Sequence, residues 1–291
     1  MLNRKNNIFY SLFAVLCLLN SLGCYGPYGA ERQYWLASRE YTRLVKSINN
    51  SSDSDEINNI VNERAADVVV RLRRVELNYP LWPMAAQAKL LIANVYILQG
   101  LNERAQIEYE SIIKDYSYYE EQCASAMIAL ASIYKERGDW KSAEEVYDRV
   151  TDEYFDTQIG FQAPLLIARY YKSRAMNIEA DKAYQKAMNL YKEYISNNPD
   201  VPQASIALEQ LVNCYSDQGQ WFEAINYLQN DIIEDSDSPL ALQAMLITGT
   251  IYEVQFNNRD KAFEIYRQAV EKFPEDPMVG KIRDRLELYG E

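Results

Sequence analysis

Residues 93–109 read ANVYILQGLNERAQIEY, and residues 131–147 read ASIYKERGDWKSAEEVY. Both stretches carry a small residue, a tyrosine, a glycine, an alanine and a second tyrosine at the same intervals, displaced by 38 residues. The landmarks are Ala93, Tyr96, Gly100, Ala105 and Tyr109 in the first stretch, and Ala131, Tyr134, Gly138, Ala143 and Tyr147 in the second. Self-similarity at a fixed interval of this size predicts a chain built from stacked copies of one helical unit.

Three further copies of the pattern follow. The third copy is displaced by 37 residues, and the fourth comes later, since 44 residues separate Tyr171 from Tyr215. The added length falls in residues 187–195, which predicts a longer second helix that stops before Asn198-Pro199. The landmarks are Ala168, Tyr171, Ala180 and Tyr184, then Tyr215, Gly219, Ala224 and Leu228, and last Gly249, Tyr252, Ala262 and Tyr266.

The residue types at these landmarks suit pairs of packed helices. The alanines predict positions where two helices touch, because a larger side chain would force the helices apart. A glycine four residues after the first tyrosine predicts a left-handed helix end, and Asp139 predicts an N-cap for the next helix. The first-helix tyrosines are predicted to be core residues: Tyr96, Tyr134, Tyr171, Tyr215 and Tyr252.

This pattern resembles the tetratricopeptide repeat, whose basic period is 34 residues. The resemblance covers residues 81–277 as five repeats and implies an all-α, right-handed α-solenoid of helical hairpins. It also implies a concave groove, lined mainly by the first helix of each hairpin, that holds other proteins. Because the landmarks describe packing and not partners, the resemblance is specific for the fold and generic for the function.

The chain on either side of the five copies is also predicted to be helical. Residues 31–80 are interpreted as a divergent N-terminal repeat or cap, and residues 278–291 as a C-terminal capping helix with alternating charges. The elements predicted before the first copy are a helix over 31–48, a polar loop over 49–55 and a helix over 57–77. The first of these helices is expected to carry Trp35, Tyr41 and Leu44 on one side.

Residues 1–23 have the features of a bacterial signal peptide. Arg4 and Lys5 precede an apolar stretch over residues 8–22, which is too short and too interrupted for a comfortable membrane span of about 20 residues. Ser21-Leu22-Gly23-Cys24 then resembles a lipobox, which implies cleavage before Cys24 and acylation of that cysteine.

Residues 24–30 are predicted to form a lipid-anchored tether. The residue after Cys24 is Tyr25 and not aspartate, which by this resemblance implies an outer-membrane lipoprotein facing the periplasm of the bacterial cell envelope. Cleavage after Gly23 by ordinary signal peptidase, without lipidation, is the alternative. It would give a soluble periplasmic protein.

The composition excludes several classes of function. The 291 residues include no histidine, which removes histidine-based triads and histidine metal ligands. The formal net charge is −12, and no cluster of lysine and arginine is evident, so neither nucleic acid nor an anionic lipid surface is an expected partner of the folded body. No catalytic residue, metal, cofactor or small-molecule substrate is predicted.

The remaining motifs have ordinary structural interpretations. Cys123 and Cys214 are predicted to be small buried hydrophobic residues without a disulfide. Asp53-Ser54-Asp55 and Asp235-Ser236-Asp237 lack the glycine and glutamate of a calcium loop and are interpreted as turns. Five tyrosines outside the repeat pattern are candidates for either local packing or an interface: Tyr118, Tyr119, Tyr154, Tyr191 and Tyr194.

The first helices offer candidate groove residues in two phases. Two residues before each first-helix tyrosine stand Asn94, Ser132, Arg169, Asn213 and Thr250, and one residue after each stand Ile97, Lys135, Lys172, Ser216 and Glu253. Lys135, Arg169 and Lys172 would form a basic cluster for an acidic segment or a chain terminus. An ordinary solvated groove is the alternative. The candidate partner-binding residues are therefore Asn94, Ser132, Lys135, Arg169, Lys172, Asn213 and Thr250.

Together these patterns predict a non-enzymatic scaffold or adaptor tethered to the envelope. The lipobox-like start and the repeats resemble the tetratricopeptide lipoproteins of outer-membrane β-barrel assembly, which implies envelope proteins or peptides as partners. A soluble periplasmic binding module in cell division or secretion is the first alternative. A peptidoglycan-active enzyme is the second, although no stretch outside the repeats is long enough for a catalytic domain.

Overall fold

The computed structural model describes residues 27–234 and 238–288, and within these ranges the chain forms helices and turns with no strand. The predicted signal peptide, Cys24 and the turn at residues 235–237 lie outside the described residues. No helix of the described part is long and apolar enough to cross a bilayer. The chain divides into two units, the first ending at Tyr154 and the second beginning at Phe155.

The first unit consists of three helical hairpins. Consecutive helices are joined by short turns and pack on each other, and α1 also contacts α3, as α3 contacts α5. The helices are α1 (Pro27–Asn49), α2 (Ser54–Asn78), α3 (Pro83–Leu98), α4 (Asn102–Asp115), α5 (Glu120–Glu136) and α6 (Trp140–Glu153).

The second unit continues with three hairpins and a final helix. A 3₁₀ turn (Gly160–Gln162) leads into the first hairpin, and α10 continues as a π-helical turn (Leu228–Ile233). The helices are α7 (Ala163–Ser173), α8 (Asn177–Asn197), α9 (Pro202–Gln218), α10 (Trp221–Tyr227), α11 (Ala241–Val254), α12 (Arg259–Lys272) and α13 (Pro277–Leu288). The prediction of an all-α fold built from tetratricopeptide-type hairpins is confirmed, with α8 as the longer second helix.

The turn inside each hairpin has the predicted left-handed residue. Gly100, Gly138 and Gly219 have φ of 70°, 81° and 69°. In the third copy Ala175 takes the same place with φ 55°, and in the fifth Asn257 does so with φ 48°. Alanine is strained in this region of φ because of its Cβ, whereas asparagine is tolerated there.

One capping hydrogen bond recurs in every copy. The backbone N–H five residues after the first-helix tyrosine donates to that tyrosine's carbonyl, at 2.8 Å from Leu101 to Tyr96 and 2.9 Å from Asp139 to Tyr134. In the fifth copy the donor is Asn258, six residues after Tyr252, at 2.9 Å. One added residue in that turn explains why its left-handed position moves on by one, from the expected glycine site to Asn257.

The small landmark residues lie at the helix contacts as predicted. Ala93, Ala131 and Ala168 are completely buried. Gly249 takes this place in the fifth copy, and a Cβ built there would lie 2.3 Å from Cε1 of Tyr266. The ring of Tyr266 therefore packs directly on the backbone of α11. Asp139 is confirmed as an N-cap, because its carboxylate accepts from the backbone N–H of Ser142 at 3.2 Å.

The prediction that the first-helix tyrosines are core residues needs correction. Tyr215 is buried, but Tyr96, Tyr134, Tyr171 and Tyr252 are only half-buried. The fully buried row is the matching second-helix position, which holds Leu228 in the fourth copy and a tyrosine in the others: Tyr109, Tyr147, Tyr184 and Tyr266. The four half-buried tyrosines lie two residues before the last residue of their helix, next to exposed residues such as Lys135 and Lys172.

The start of the chain differs from the prediction in two ways. α1 begins at Pro27, inside the segment 24–30 interpreted as a tether, because proline suits the first helical position and Ala30 is fully buried. Trp35 also does not share a side with Tyr41 and Leu44. Leu44 is fully buried, whereas Trp35 is 58% exposed, since nine positions make about two and a half turns and place the two side chains on opposite sides of the helix.

A network of four charged side chains joins α2, α3 and α4. Arg73 Nη1 lies 2.6 Å from Glu76 Oε2, and Lys89 Nζ lies 3.0 Å from both Glu76 Oε1 and Glu108 Oε2. Arg73 also contacts Glu108. Lys89 and Glu108 are buried, so the charges are stabilised by one another and not by water.

Candidate partner-binding grooves

The sequence places apolar side chains on both sides of the first helices. In α3, for example, seven residues are buried, among them Ile92 and Val95. Leu90 and Leu91 are half-buried between this core and the solvent. First helices can therefore contribute at once to the core and to an open apolar surface.

A groove of about 460 Å³ lies on the first unit, and we call it the N-terminal groove. Its floor is made by α3 with one residue of α4, and its sides come from α1 and α5. Its lining residues are Tyr34, Gln87, Leu90, Leu91, Asn94, Tyr109, Ser125 and Ala129. Of the candidate residues, Asn94 lies in this groove.

A second groove of about 410 Å³ lies on the second unit, and we call it the C-terminal groove. It runs between α9 and α11 and is bounded by α10 and α13. Its apolar lining includes Val212, Trp221, Leu246, Val254 and Met278, and its polar lining includes Glu209, Asn213, Ser216, Gln243 and Thr250. Asn213 and Thr250 of the candidate set lie here, as does Ser216 of the second phase. Val254 remains 65% exposed in the free chain.

The repeat position that lies two residues before each first-helix tyrosine also has a structural role. The hydroxyl of Tyr109 donates to Oδ1 of Asn94 at 2.7 Å. In the fifth copy the hydroxyl of Tyr266 lies 3.4 Å from Oγ1 of Thr250. The side chain at this position therefore contacts the buried second-helix tyrosine of its own hairpin.

Burial raises the pKa of Tyr109 and of Tyr184 above the usual range. For Tyr184 the carboxylate of Asp217 raises the pKa further, because it accepts from the hydroxyl at 3.2 Å. These phenols remain neutral hydrogen-bond donors through the physiological pH range. Tyr109 orients Asn94 in the N-terminal groove and provides no acid–base chemistry there.

The predicted basic cluster is not one set of free charges. Arg169 makes a bidentate pair with Asp217, with Nε 2.6 Å from Oδ2 and Nη2 3.3 Å from Oδ1. Lys135 and Lys172 are exposed, but Lys135 belongs to the first unit and Lys172 to the second. Ser132 donates its hydroxyl to the carbonyl of Ile128 at 3.1 Å.

The tyrosines outside the pattern divide between surface and core. Tyr118 is 88% exposed. Tyr191 is fully buried and donates to the carbonyl of Phe161 at 2.6 Å, so an interface role for this residue is wrong. Phe161 and Tyr194 stack edge to face, 5.0 Å apart, in the same aromatic cluster.

Both cysteines of the folded chain are free and buried, as predicted. Burial raises the pKa of the Cys123 thiol, and it raises the pKa of Cys214 to about 12. A thiol with a raised pKa is a poor nucleophile at neutral pH. Among the described residues no group of three or more cysteine, aspartate or glutamate side chains is arranged to hold a metal ion.

Comparison with known families identifies the repeats. The tetratricopeptide repeat family matches residues 126–153, 207–240 and 243–276. The first range covers most of α5 and α6, and the last covers α11 and α12. The chain therefore contains tetratricopeptide repeats over these ranges, as its landmark residues predicted.

A curated relative and several solved structures show similarity. Human protein O-mannosyl-transferase TMTC1 is 27% identical over 157 residues, which is 53% of this chain and 15% of the human protein. The human IFIT1 dimer with m7Gppp-AAAA is 15% identical, with a TM-score of 0.41, over 91% of this chain and 59% of that one. A tetratricopeptide repeat protein from Parabacteroides merdae is 14% identical, with a TM-score of 0.30, over 84% of this chain and 97% of that one. This chain thus spans less than two thirds of the length of both human proteins.

Proposed function

We propose that this protein is a scaffold that binds other proteins through its two grooves and is anchored to the bacterial cell envelope. The observation that supports binding is the C-terminal groove, where apolar side chains such as Val254 and Met278 stay exposed beside amide and hydroxyl groups. Apolar anchors inside a polar rim are the usual composition of a protein interface. Tetratricopeptide repeats support the same kind of role.

The proposed attachment depends on Cys24. A lipobox-like sequence ends at this residue, and acylation there would hold the protein at the outer membrane, facing the periplasm. Envelope proteins are then the proposed partners, including those of outer-membrane assembly. Without acylation the same grooves would serve a soluble periplasmic module.

We propose no enzymatic activity. The chain has no histidine, and its two buried thiols have raised pKa values. The transferase activity in the name of the human relative is not proposed here, because the similarity spans only 15% of that protein. Zymography on peptidoglycan tests this proposal, and lysis by the purified protein would contradict it.

Groove binding is tested by affinity capture from solubilised envelopes. The test variant carries Val254→Glu and Met278→Glu, which place charge on two exposed residues that line the C-terminal groove. The control is Ile178→Glu on α8, a residue that is 69% exposed and outside both grooves. We expect the captured proteins to be lost with the groove variant and kept with the control. The same set captured by both variants would exclude this groove as the binding surface.

The anchor is tested separately by Cys24→Ala. We expect this variant to leave the membrane fraction during a high-salt wash and still to capture its partners. A variant that stays in the membrane fraction after a high-salt wash would exclude acylation as the means of attachment.

A further inference from the structure

The solvent-facing side of α1 carries a stripe of basic and aromatic residues, which we call the α1 stripe. Its members follow at intervals of three or four residues, so they lie on one side of the helix. They are Tyr28, Arg32, Trp35, Arg39, Arg43 and Lys46, and all are exposed. The opposite side of α1 is buried through Ala30, Ala37 and Leu44.

The two aromatic members are exposed to an unusual extent. Tyr28 is 75% exposed and Trp35 is 58% exposed. The guanidinium of Arg39 lies over the Trp35 ring, 4.9 Å from its centroid. Packing within the chain therefore does not account for a tryptophan at this position.

The charge of the α1 stripe is opposite to that of the whole chain. The chain has 42 acidic and 30 basic residues, yet α1 has four basic residues and only Glu31 and Glu40 as acids. Glu40 pairs with Arg43 at 2.7 Å. Among the described residues no ion pair involves Arg32 or Lys46. The stripe is thus a local positive surface on an acidic protein.

Aromatic residues with polar edges, together with lysine and arginine, are the residues enriched where proteins meet the headgroups of a bilayer. Each basic side chain near an anionic leaflet adds to the attraction, and the long stems can reach phosphate oxygens. A helix of 23 residues is about 35 Å long, so the stripe presents a row of contacts and not a single point.

The position of α1 in the chain favours the same partner. Pro27 follows Cys24 by three residues, which can span at most about 11 Å. That distance is close to the Debye length at physiological salt, the distance over which charges still attract one another appreciably. An acyl chain on Cys24 would therefore hold the start of the stripe within reach of lipid headgroups.

We propose that the α1 stripe lies against the surface of an anionic phospholipid bilayer. This reverses the expectation from net charge that the folded body avoids such lipid. The inference goes beyond the scaffold function and does not require the acyl anchor, which would only raise the local concentration of the stripe at the bilayer. Its consequence is that the first hairpin is held at the membrane.

The contact is measured on the full chain carrying Cys24→Ala. Tryptophan fluorescence is recorded with vesicles of phosphatidylcholine and phosphatidylglycerol brominated near the headgroup. Trp35 is the exposed tryptophan, whereas Trp82, Trp140 and Trp221 are half-buried, so quenching should be strong and should be absent in Trp35→Phe. Binding through residues 1–26 alone would leave the signal of Trp35 unquenched and would overturn the proposal.

Charge reversal tests the electrostatic part. The stripe variant carries Arg32→Glu, Arg39→Glu and Lys46→Glu, and the control carries Lys114→Glu, Lys135→Glu and Lys182→Glu at exposed positions with the same change in net charge. Circular dichroism verifies that both variants fold. We expect about 100-fold weaker vesicle binding for the stripe variant and little change for the control.

Three results would contradict the proposal: equal loss in both triple variants, equal binding to vesicles of pure phosphatidylcholine, or no quenching of Trp35. A change in Trp35 fluorescence with polyuridylate or an acidic peptide, but not with vesicles, would assign the stripe to a soluble acidic partner instead.

Discussion

Gly249 shows how one missing methyl group shapes a hairpin. The ring of Tyr266 occupies the space that a Cβ at position 249 would need, at 2.3 Å from Cε1 and 2.8 Å from Cδ1. Because Tyr266 is buried and its hydroxyl lies 3.4 Å from Thr250 in the C-terminal groove, the ring has little freedom to move. This residue therefore connects core packing to the shape of the groove.

We expect Gly249→Ala to destabilise the protein by about 1–3 kcal/mol, since a methyl group must displace a packed ring. Chemical denaturation monitored by circular dichroism measures the change. Gly280→Ala in α13 is the control, because no atom lies within 4 Å of its Cβ position and alanine is the better helix former. Equal stability of the two variants would show that the ring moves aside freely.

Ala175 allows a prediction of the opposite sign. It holds φ 55° where three other copies use glycine, and alanine in this conformation is strained by roughly 1 kcal/mol. Ala175→Gly should therefore stabilise the protein by up to about 0.5 kcal/mol, because the greater freedom of glycine in the unfolded chain offsets part of the relieved strain. Gly138→Ala, at φ 81°, should destabilise it. Thermal denaturation measures the melting temperature of both variants against the wild type. Changes of the same sign in the two variants would contradict this account of the turn.

At the scale of elements, most helix positions could be predicted from the sequence. The recurring tyrosine placed each first helix and its end, although alanine, tyrosine and glycine occur together only in the first two copies. The network of Arg73, Glu76, Lys89 and Glu108 could not be predicted in the same way. Its members lie on three helices, and nothing in their spacing distinguishes them from solvated charges.

The network makes the contact of α2, α3 and α4 sensitive to acid. Burial alone raises the pKa of Glu108, but hydrogen bonds from Arg73 and Lys89 outweigh it and hold the pKa below its usual range. A lowered folded-state pKa stabilises the protein above the unfolded-state value of about 4.3, and the contribution is lost as pH falls through the folded-state pKa.

Glu108→Gln should therefore be about 2–3 kcal/mol less stable than the wild type at pH 7, because the two cations of the network lose one of their carboxylates. The loss should be no larger, because Arg73 and Lys89 keep Glu76 as a shared carboxylate. The difference should shrink as the pH falls below about 4.3. Urea denaturation across this pH range measures it. Glu103→Gln is the control, since Glu103 is largely exposed and pairs with Arg137 at 3.3 Å, so its effect should be small at every pH. A difference independent of pH would mean that the loss comes from packing and not from charge.

The candidate grooves illustrate what the sequence could and could not supply at the scale of the whole molecule. The repeat pattern gives Asn94, Asn213 and Thr250 one shared position, and all three line grooves in the structure; their role in binding a partner stays a prediction. It could not supply the pairing of Arg169 with Asp217, which joins α7 to α9 over 48 residues of sequence. Nor did the pattern, which continues through residue 154, predict the division into two units.

That division has a consequence for stability across the chain. In a repeat protein each hairpin packs only on its neighbours, so damage should stay local. Leu211 and Leu72 are fully buried in separate hydrophobic clusters, Leu211 in the second unit and Leu72 in the first. Leu211→Ala and Leu72→Ala should each remove about 2–5 kcal/mol of local packing.

Amide hydrogen exchange followed by mass spectrometry distinguishes local from global loss. With Leu211→Ala we expect faster exchange in α8, α9 and α10. Exchange in α1 and α2 should be unchanged, because those helices pack in the separate cluster that contains Leu72. Leu72→Ala should give the reverse pattern. Faster exchange throughout the chain for either variant would contradict the one-dimensional account. Since the C-terminal groove is built on α9 and α11, local loss would also weaken capture of partners there for Leu211→Ala while leaving the α1 stripe intact.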